Sequence, residues 1–321
     1  MTAALTSPSE RIALVRDLAV ELRERVVPEL TPTALGAGRR HAGDAAGGDV
    51  TFAIDQIAEE ALVRFLDRRA PRLAFYSEDR GLVATDDATD VLVVDPIDGT
   101  RPALAGLESA CVAVALAPLG DGDPTMGDVS EACVVEIKSG HEFVAGAGLG
   151  VVGSTRPVAL SANRDLRRMF WGYGFRGRPV RPTAELLAEL IDGSSVGGGT
   201  FELGSQAFAM TRIVTGQLDA VVEVGSRMID EIPELRGQFE LVGGGQVLNN
   251  SPYDLAAPWL CLREAGGIIS DGWGRPLDGR RLLGTGHEFQ MSSISAANPD
   301  LHRALVSAVD AGMQRLHHMH P

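Results

Sequence analysis

The fold turns on one stretch: Val91-Leu92-Val93-Val94-Asp95-Pro96-Ile97-Asp98-Gly99-Thr100. Four consecutive apolar residues predict a buried strand. The strand ends in two carboxylates, Asp95 and Asp98, set around a proline. Gly99 and Thr100 follow, then Pro102 and an apolar run, a pattern that opens a helix with proline in its first turn. A strand edge thus sets two anionic oxygens beside a helix N-terminus. Carboxylates attract a hard divalent cation, and free backbone N–H groups attract an anion. Metal plus phosphate is the chemistry such a place suits. Asp-Gly-Thr alone also fits an Asx turn at a strand–helix junction; the whole Asp-Pro-Ile-Asp-Gly-Thr string favours the metal site.

With 321 residues, 45% apolar and 22% charged, the chain has a globular composition and the length for two domains or one large layered one. Its net charge is −14, and Lys138 is the only lysine among arginine cations. So acidic a surface argues against nucleic acid or an anionic membrane as partner. It also demands a local cation, metal or arginine, wherever a phosphorylated substrate binds. No run approaches roughly eighteen uninterrupted apolar residues, and the start lacks a basic-then-apolar signal, so a cytoplasmic location is expected. Cys111, Cys133 and Cys261 lie far apart inside apolar runs and read as small core residues. The ending His317-His318-Met319-His320 reads as a frayed tail.

Leu14, Leu18, Leu22 and Val26 recur at helical spacing, predicting a surface helix over 9–30 with Ser9 as N-cap. The Gly- and Ala-rich stretch 36–48, with Arg39, Arg40 and His41, reads as a mobile loop whose cations can visit a phosphate. A helix bearing Ala58, Ala61, Leu62, Phe65 and Leu66 follows Asp55, then a short strand over 73–76 leads to Ser77-Glu78-Asp79. Strands at 110–117 and 132–137 are expected to neighbour each other in an antiparallel sheet, with a further strand and tight turns over 143–152. Residues 156–199, with Pro157, Pro179 and Pro182, look less regular, and a domain boundary is placed at their start. Beyond them comes an alternation: helix 205–215, strand 218–223, helix 254–265, strand 267–271, strand 291–296 and a closing helix from Pro299. The expected fold is α/β: a first half, 1–155, of helices on an antiparallel sheet, and an α/β second half, 156–321.

Acids stand at the ends of four of these elements: Asp55, Glu78, the Asp95/Asp98 pair and Asp254. A lone acid at a helix start is usually a cap. Their order, however, resembles that of the inositol monophosphatase family. Asp95 to Thr100 resembles its aspartate motif, and Ser77-Glu78-Asp79 its Gly-Glu-Glu. Asp254-Leu-Ala-Ala with Glu264-Ala-Gly-Gly resembles its Trp-Asp-x-Ala-Ala and Glu-Ala-Gly-Gly. Residues 49–55 resemble the segment that carries its helper aspartate. Gly204-Ser205 and 218–223 resemble its substrate-facing segments.

The resemblance, which spans about residues 10–310, implies a layered αβαβα sandwich of the sugar phosphatase type. It implies that Glu78, Asp95, the Ile97 carbonyl, Asp98 and Asp254 hold two or three Mg²⁺ ions. Thr100 paired with Asp55 would activate a water, with Glu78 the competing base, and the N–H groups of Gly99 and Thr100 would hold phosphate. Asp98, Gly204, Ser205, Glu223 and Asp254 would face the substrate, a small polyol, sugar or related metabolite monophosphate, in a homodimer. A fructose-1,6-bisphosphatase or 3′-phosphoadenosine 5′-phosphate phosphatase is the alternative, with Arg101, Arg227 or Arg236 as cations for a second phosphate. An inactive homologue that only binds is the alternative of another class. Four departures mark the chain: Gln206 for a small residue, Arg101-Pro102 for Thr-Asn, Tyr253 for tryptophan, and a segment 226–253 between Glu223 and Asp254. That segment, with Ile229, Ile232, Leu235, Phe239 and Gly243-Gly244-Gly245, is expected to form a pocket lid, an oligomer contact or surface decoration.

Overall fold

The apolar runs around 91–94, 111–117 and 132–135 form the middle of a seven-stranded sheet. The computed structural model describes residues 7–30, 39–45, 50–120 and 123–319. In chain order it begins with α1 (Pro8–Val26), the hairpin β1 (His41–Asp44) and β2 (Val50–Phe52), and α2 (Ala53–Arg69). Then come β3 (Ala74–Ser77), β4 (Gly81–Val83), β5 (Asp90–Asp98), the short α3 (Thr100–Ala105) and β6 (Cys111–Pro118). The strands β7 (Glu131–Glu136), β8 (Glu142–Gly146) and β9 (Gly150–Ser154) complete the sheet in the order β4-β3-β5-β6-β7-β8-β9. Its neighbours are antiparallel except β3 and β5.

The sheet is apolar on both faces, as its continuous hydrophobic runs require. Leu92, Val94, Val112 and Val114 pack under α1 and α2, while Val91, Val93, Ala113 and Ala115 face the opposite way. The second face is rich in alanine, at Ala113, Ala115, Ala117, Ala132 and Ala145, and it packs against the helices of the second half.

The second half contains β10 (Phe170–Tyr173), α4 (Val180–Ser194), β11 (Gly199–Phe201), α5 (Gln206–Val214) and β12 (Ala220–Glu223). It continues through α6 (Gly225–Glu231), α7 (Arg236–Val242), α8 (Pro252–Glu264), β13 (Ile268–Ser270), β14 (Ser293–Ala296) and α9 (Pro299–Met319). Five strands pair in the order β11-β10-β12-β14-β13. Helices α5 and α8 share one apolar core with both sheets, and α4, α6 and α9 close the far face of the smaller one. The result is five layers, αβαβα. Among the described residues no helix is long and apolar enough to cross a membrane.

Several expectations change. The N-cap of α1 is Ser7, whose hydroxyl accepts from the Glu10 N–H while Glu10 reaches back to the Ser7 N–H; Pro8 fits the first helical position. His41–Asp44 is a strand paired with β2 rather than a loop, and Arg39 donates to the Leu104 carbonyl at 2.7 Å. Residues 36–38 and 46–49, also singled out in the sequence, lie outside the described residues. The stretch 156–199 is more regular than its prolines suggest. Pro179 precedes α4 and Pro182 lies in its first turn, where helix N–H groups have no intrahelical partner, so both prolines start the helix. The histidines at 317 and 318 extend α9, and His317 meets Glu231.

The segment 226–253 is not a lid. Ile229, Ile232, Leu235 and Phe239 are buried in the core outside the smaller sheet, beside Trp171 and Leu187. Its tip is exposed at Leu241 and Val242, but its body is anchored.

Candidate active site

Asp95 and Asp98 lie three residues apart on one strand, which in regular alternation would send them to opposite faces. A bulge prevents this. Asp95 stands opposite Ala113 and Asp98 opposite Cys111, so three steps on β5 match two on β6. Both partners belong to the core shared with α5 and α8, so both carboxylates emerge on that side.

The Asp98 carboxylate is held by the start of α5: Ser205 Oγ donates to Oδ2 at 2.8 Å, the Ala207 N–H also donates to Oδ2, and the Gln206 N–H reaches Oδ1 at 3.3 Å. Asp95 Oδ1 accepts the Ile97 N–H at 3.1 Å. Asp254 is the third residue of α8, where it caps the Ser251 N–H at 2.6 Å. Asp95, Asp98 and Asp254 place ligand oxygens within 4.8 Å of one another.

Gathering three carboxylates in one buried place is unfavourable without a cation. Burial first, then the charges of Asp98, Glu78 and Asp254, hold the Asp95 carboxyl well above its usual range. Burial raises Asp98 to about 6 despite its three donors. Burial and then Asp98 raise Asp254 to about 7, with Ser251, Arg176 and Arg178 offsetting part of the rise. An all-oxygen, anionic, mutually repelling set is what a hard divalent cation fits.

Thr100 opens α3 after Gly99, whose φ is +89°. A Cβ on Gly99 would meet the Ser109 carbonyl at 2.7 Å and Ser205 at 2.8 Å, so only glycine lets α5 close on the motif. The Thr100 hydroxyl lies 3.0 Å from Asp55 Oδ1 and 3.1 Å from the Ile97 carbonyl, and can donate to one at a time. Asp55 is fixed by the Phe52 N–H at 2.7 Å. Asp55, Glu78, Asp95, Ile97, Asp98, Gly99, Thr100, Gly204 and Asp254 therefore line one cavity, with Arg101 and Arg176. Glu78 stands at its rim rather than in the three-acid cluster. It follows β3, whose Ser77 pairs with Val94, so it comes up alongside Asp95.

Residues 13–314 match the profile of the inositol monophosphatase family. The chain belongs to the inositol monophosphatase family. Its relatives include an inositol-1-monophosphatase from Mesorhizobium japonicum, 27% identical over 82% of this chain and 83% of that one. A fructose-1,6-bisphosphatase/inositol-1-monophosphatase from Methanothermobacter thermautotrophicus is 26% identical over 92% and 96%. The extragenic suppressor protein suhB from Bartonella henselae superposes with a TM-score of 0.69 at 19% identity, covering 94% of this chain and 98% of that structure. Inositol monophosphatase family members are metal-dependent phosphatases, and this member is a phosphomonoesterase with its acid cluster in place.

A second cavity adjoins the first, sharing Glu78, Asp98, Arg176, Gly204 and Asp254. Glu223 lies in its wall, 4% exposed, and its Oε1 accepts from Arg178 Nε at 2.9 Å and the Gly225 N–H at 2.9 Å. Ser205 and Gly204 line it too, but the Ser205 hydroxyl is committed to Asp98. Tyr253 is buried and stacks on Tyr76 at 6.4 Å.

The cations differ from those expected. Arg227 is tied to Glu231 and Asp310, and Arg236 to Glu240, so neither reaches the cleft. Arg101 lies over the Phe52 ring at 5.4 Å and does line the acid cavity. The arginines that sequence reasoning missed are Arg176 and Arg178, between β10 and α4. Their signal was present in Arg176-Gly177-Arg178-Pro179, where Gly177 with φ +71° makes the turn that brings both beside the cleft.

Proposed function

We propose that this protein is a Mg²⁺-dependent phosphomonoesterase that hydrolyses a small polyol or sugar monophosphate by direct attack of water. The observation that carries the reading is the meeting of Asp95, Asp98 and Asp254 beside the Thr100–Asp55 pair, at the mouth of a polar cleft. Glu78, Asp95, the Ile97 carbonyl, Asp98 and Asp254 are the groups proposed to hold two or three Mg²⁺ ions. Bound there, such ions would supply positive charge to the phosphate oxygens and to the leaving oxygen.

The chain's own part is orientation and proton transfer. Thr100 Oγ can accept a proton from the attacking water while passing its own to Asp55 Oδ1, 3.0 Å away. Fixed by the Phe52 N–H, Asp55 needs no rearrangement to receive it. The Gly99 and Thr100 N–H groups, at the start of α3, are the proposed donors to the phosphate oxygens. Asp95 and Asp98 come from one side of residue 155 and Asp254 from the other, so both proposed halves act as one unit.

Phosphate release from a panel of polyol, sugar and nucleotide phosphates, with Mg²⁺ and with chelator, tests the reading. Mg²⁺-dependent release from polyol or sugar monoesters is expected. Binding of such esters without release at any Mg²⁺ concentration would leave only an inactive binding homologue.

A further inference from the structure

Arg176 and Arg178 stand two residues apart on the turn between β10 and α4, and the fold treats them differently. Arg178 is buried: its Nε donates to Glu223 Oε1 at 2.9 Å, its Nη1 to the Arg176 carbonyl at 2.6 Å and its Nη2 to Asn250 Oδ1 at 3.3 Å. Its own N–H donates to the Phe175 carbonyl at 2.9 Å. A Cβ on Gly177 would stand 2.7 Å from Leu248 Cβ, so the turn lies tight against the end of the segment 226–253. Phe175 in turn meets Tyr173 edge to face at 4.7 Å. The backbone of Arg176 is therefore fixed on both sides, while its side chain is exposed.

That side chain stands at a junction. Of the described residues shared by the acid cavity and the second cavity, Glu78, Asp98, Arg176, Gly204 and Asp254, it is the one cation. Its charge reaches both Asp98 and Asp254, offsetting part of the rise that burial imposes on each. Six carboxylates line the acid cavity, Asp55, Glu78, Asp79, Asp95, Asp98 and Asp254, against the two arginines Arg101 and Arg176. Two divalent cations alone do not neutralise six carboxylates, so the arginines decide whether a dianionic phosphate meets a wall of net negative charge. Arg101 lies over the Phe52 ring and lines the acid cavity but not the second.

We propose that Arg176 binds the substrate's phosphate, its guanidinium donating to non-bridging oxygens at the mouth of the acid cavity, and that Arg178 is the positioning residue that aims it. A planar fork of N–H donors on a fixed base suits a phosphate better than a mobile point charge does. The inference rests on the phosphatase reading above and adds to it a phosphate contact made by a side chain rather than by metal. The ester linkage then lies where the two cavities meet, with the phosphate on the acid side and the organic part in the second cavity.

The test is calorimetric, so that it reads binding apart from turnover. Inorganic phosphate is titrated into protein at saturating Mg²⁺, and Mg²⁺ into protein without phosphate, each variant being checked for folding by circular dichroism. Arg176→Gln is expected to weaken phosphate binding by at least ~tenfold, the value of a charge-assisted hydrogen bond. Mg²⁺ should bind that variant as tightly as wild type or more tightly, since a repelling charge is gone. Arg176→Lys, which keeps the charge but not the fork, should lose less. Arg178→Lys should weaken phosphate binding several-fold on its own and add nothing to Arg176→Gln, a non-additivity that a purely structural role would not produce. Phosphate affinity that Arg176→Gln leaves unchanged, or that falls in step with Mg²⁺ affinity, would overturn the assignment; Mg²⁺-dependent hydrolysis of 4-nitrophenyl phosphate by wild type would then still support the phosphatase reading. Unchanged phosphate affinity with a loss of kcat/KM for fructose 1,6-bisphosphate but not for sorbitol 6-phosphate would move Arg176 to a second acidic group of the substrate and overturn it as well. Wild-type protein that neither binds phosphate nor hydrolyses any of the three esters would overturn both.

Discussion

Asp254→Asn separates the acid cluster's role as a cation site from any role in holding the fold. In the metal-free protein the Asp254 carboxyl is raised from 3.8 to about 7, by burial and then by Asp98. At about 1.36 kcal/mol per unit, the ionised group then costs roughly 4 kcal/mol as a ceiling. Sharing of protons among the three acids and water at the half-buried carboxyl bring the expected value nearer 1–2 kcal/mol. A carboxyl with a raised folded-state pKa costs nothing below its unfolded value, and its full penalty is reached above the folded one. Asparagine keeps the acceptor for the Ser251 N–H at 2.6 Å and removes the charge. In EDTA, urea unfolding should therefore show the variant about 1–2 kcal/mol more stable than wild type at pH 8, with the gain shrinking by more than half at pH 5. With Mg²⁺ the order should reverse, since wild type gains binding energy that the variant forgoes. A variant destabilised equally at both pH values without metal would refute the repulsion argument and mark Asp254 as a simple helix cap.

Further expectations follow from other contacts. Thr100→Ala and Asp55→Asn should each lower kcat by about 10²–10⁴-fold with little change in KM, because both act on the attacking water; a defect confined to KM would assign them to binding. Asp95→Asn should abolish turnover at saturating Mg²⁺ while circular dichroism stays native, and near wild-type turnover would refute the site. Chelation should stop phosphate release and Mg²⁺ should restore it; release that persists after exhaustive chelation would exclude metal assistance. Phe239→Ala should lower stability by about 3–5 kcal/mol in chemical denaturation and leave the ranking of substrates unchanged, since Phe239 packs in the outer core; a changed ranking with intact stability would restore the lid.

The chemistry was legible in the sequence wherever it sat in contiguous residues. Asp95 to Thr100 carries strand, carboxylates and helix start together, and the acid at 254 follows a readable cap. What was hidden depends on distant approach. Nothing local says that the N–H groups of Gln206 and Ala207 will grip Asp98, or that Arg178 will bridge Glu223 and Asn250. The region 156–199 misled because proline reads as a breaker, although at 179 and 182 it begins a helix. The segment 226–253 misled because its glycines suggested mobility, whereas its four apolar side chains decide the matter by being buried.

The bulge between Asp95 and Asp98 also fixes what kinds of change this site can survive. A strand alternates its faces, so one surplus residue is a phase shift, and it alone brings two acids of unlike parity to the same side. Substitutions around the cleft can alter it by degrees. A deletion of Pro96 or Ile97 would set two steps against two and keep both acids on one face, but it would remove the turn in which the Ile97 N–H holds Asp95 and the Ile97 carbonyl meets Thr100. Drift in side chains can therefore retune the substrate, while the length of this one connection sets how far apart the two acids stand and how they are braced.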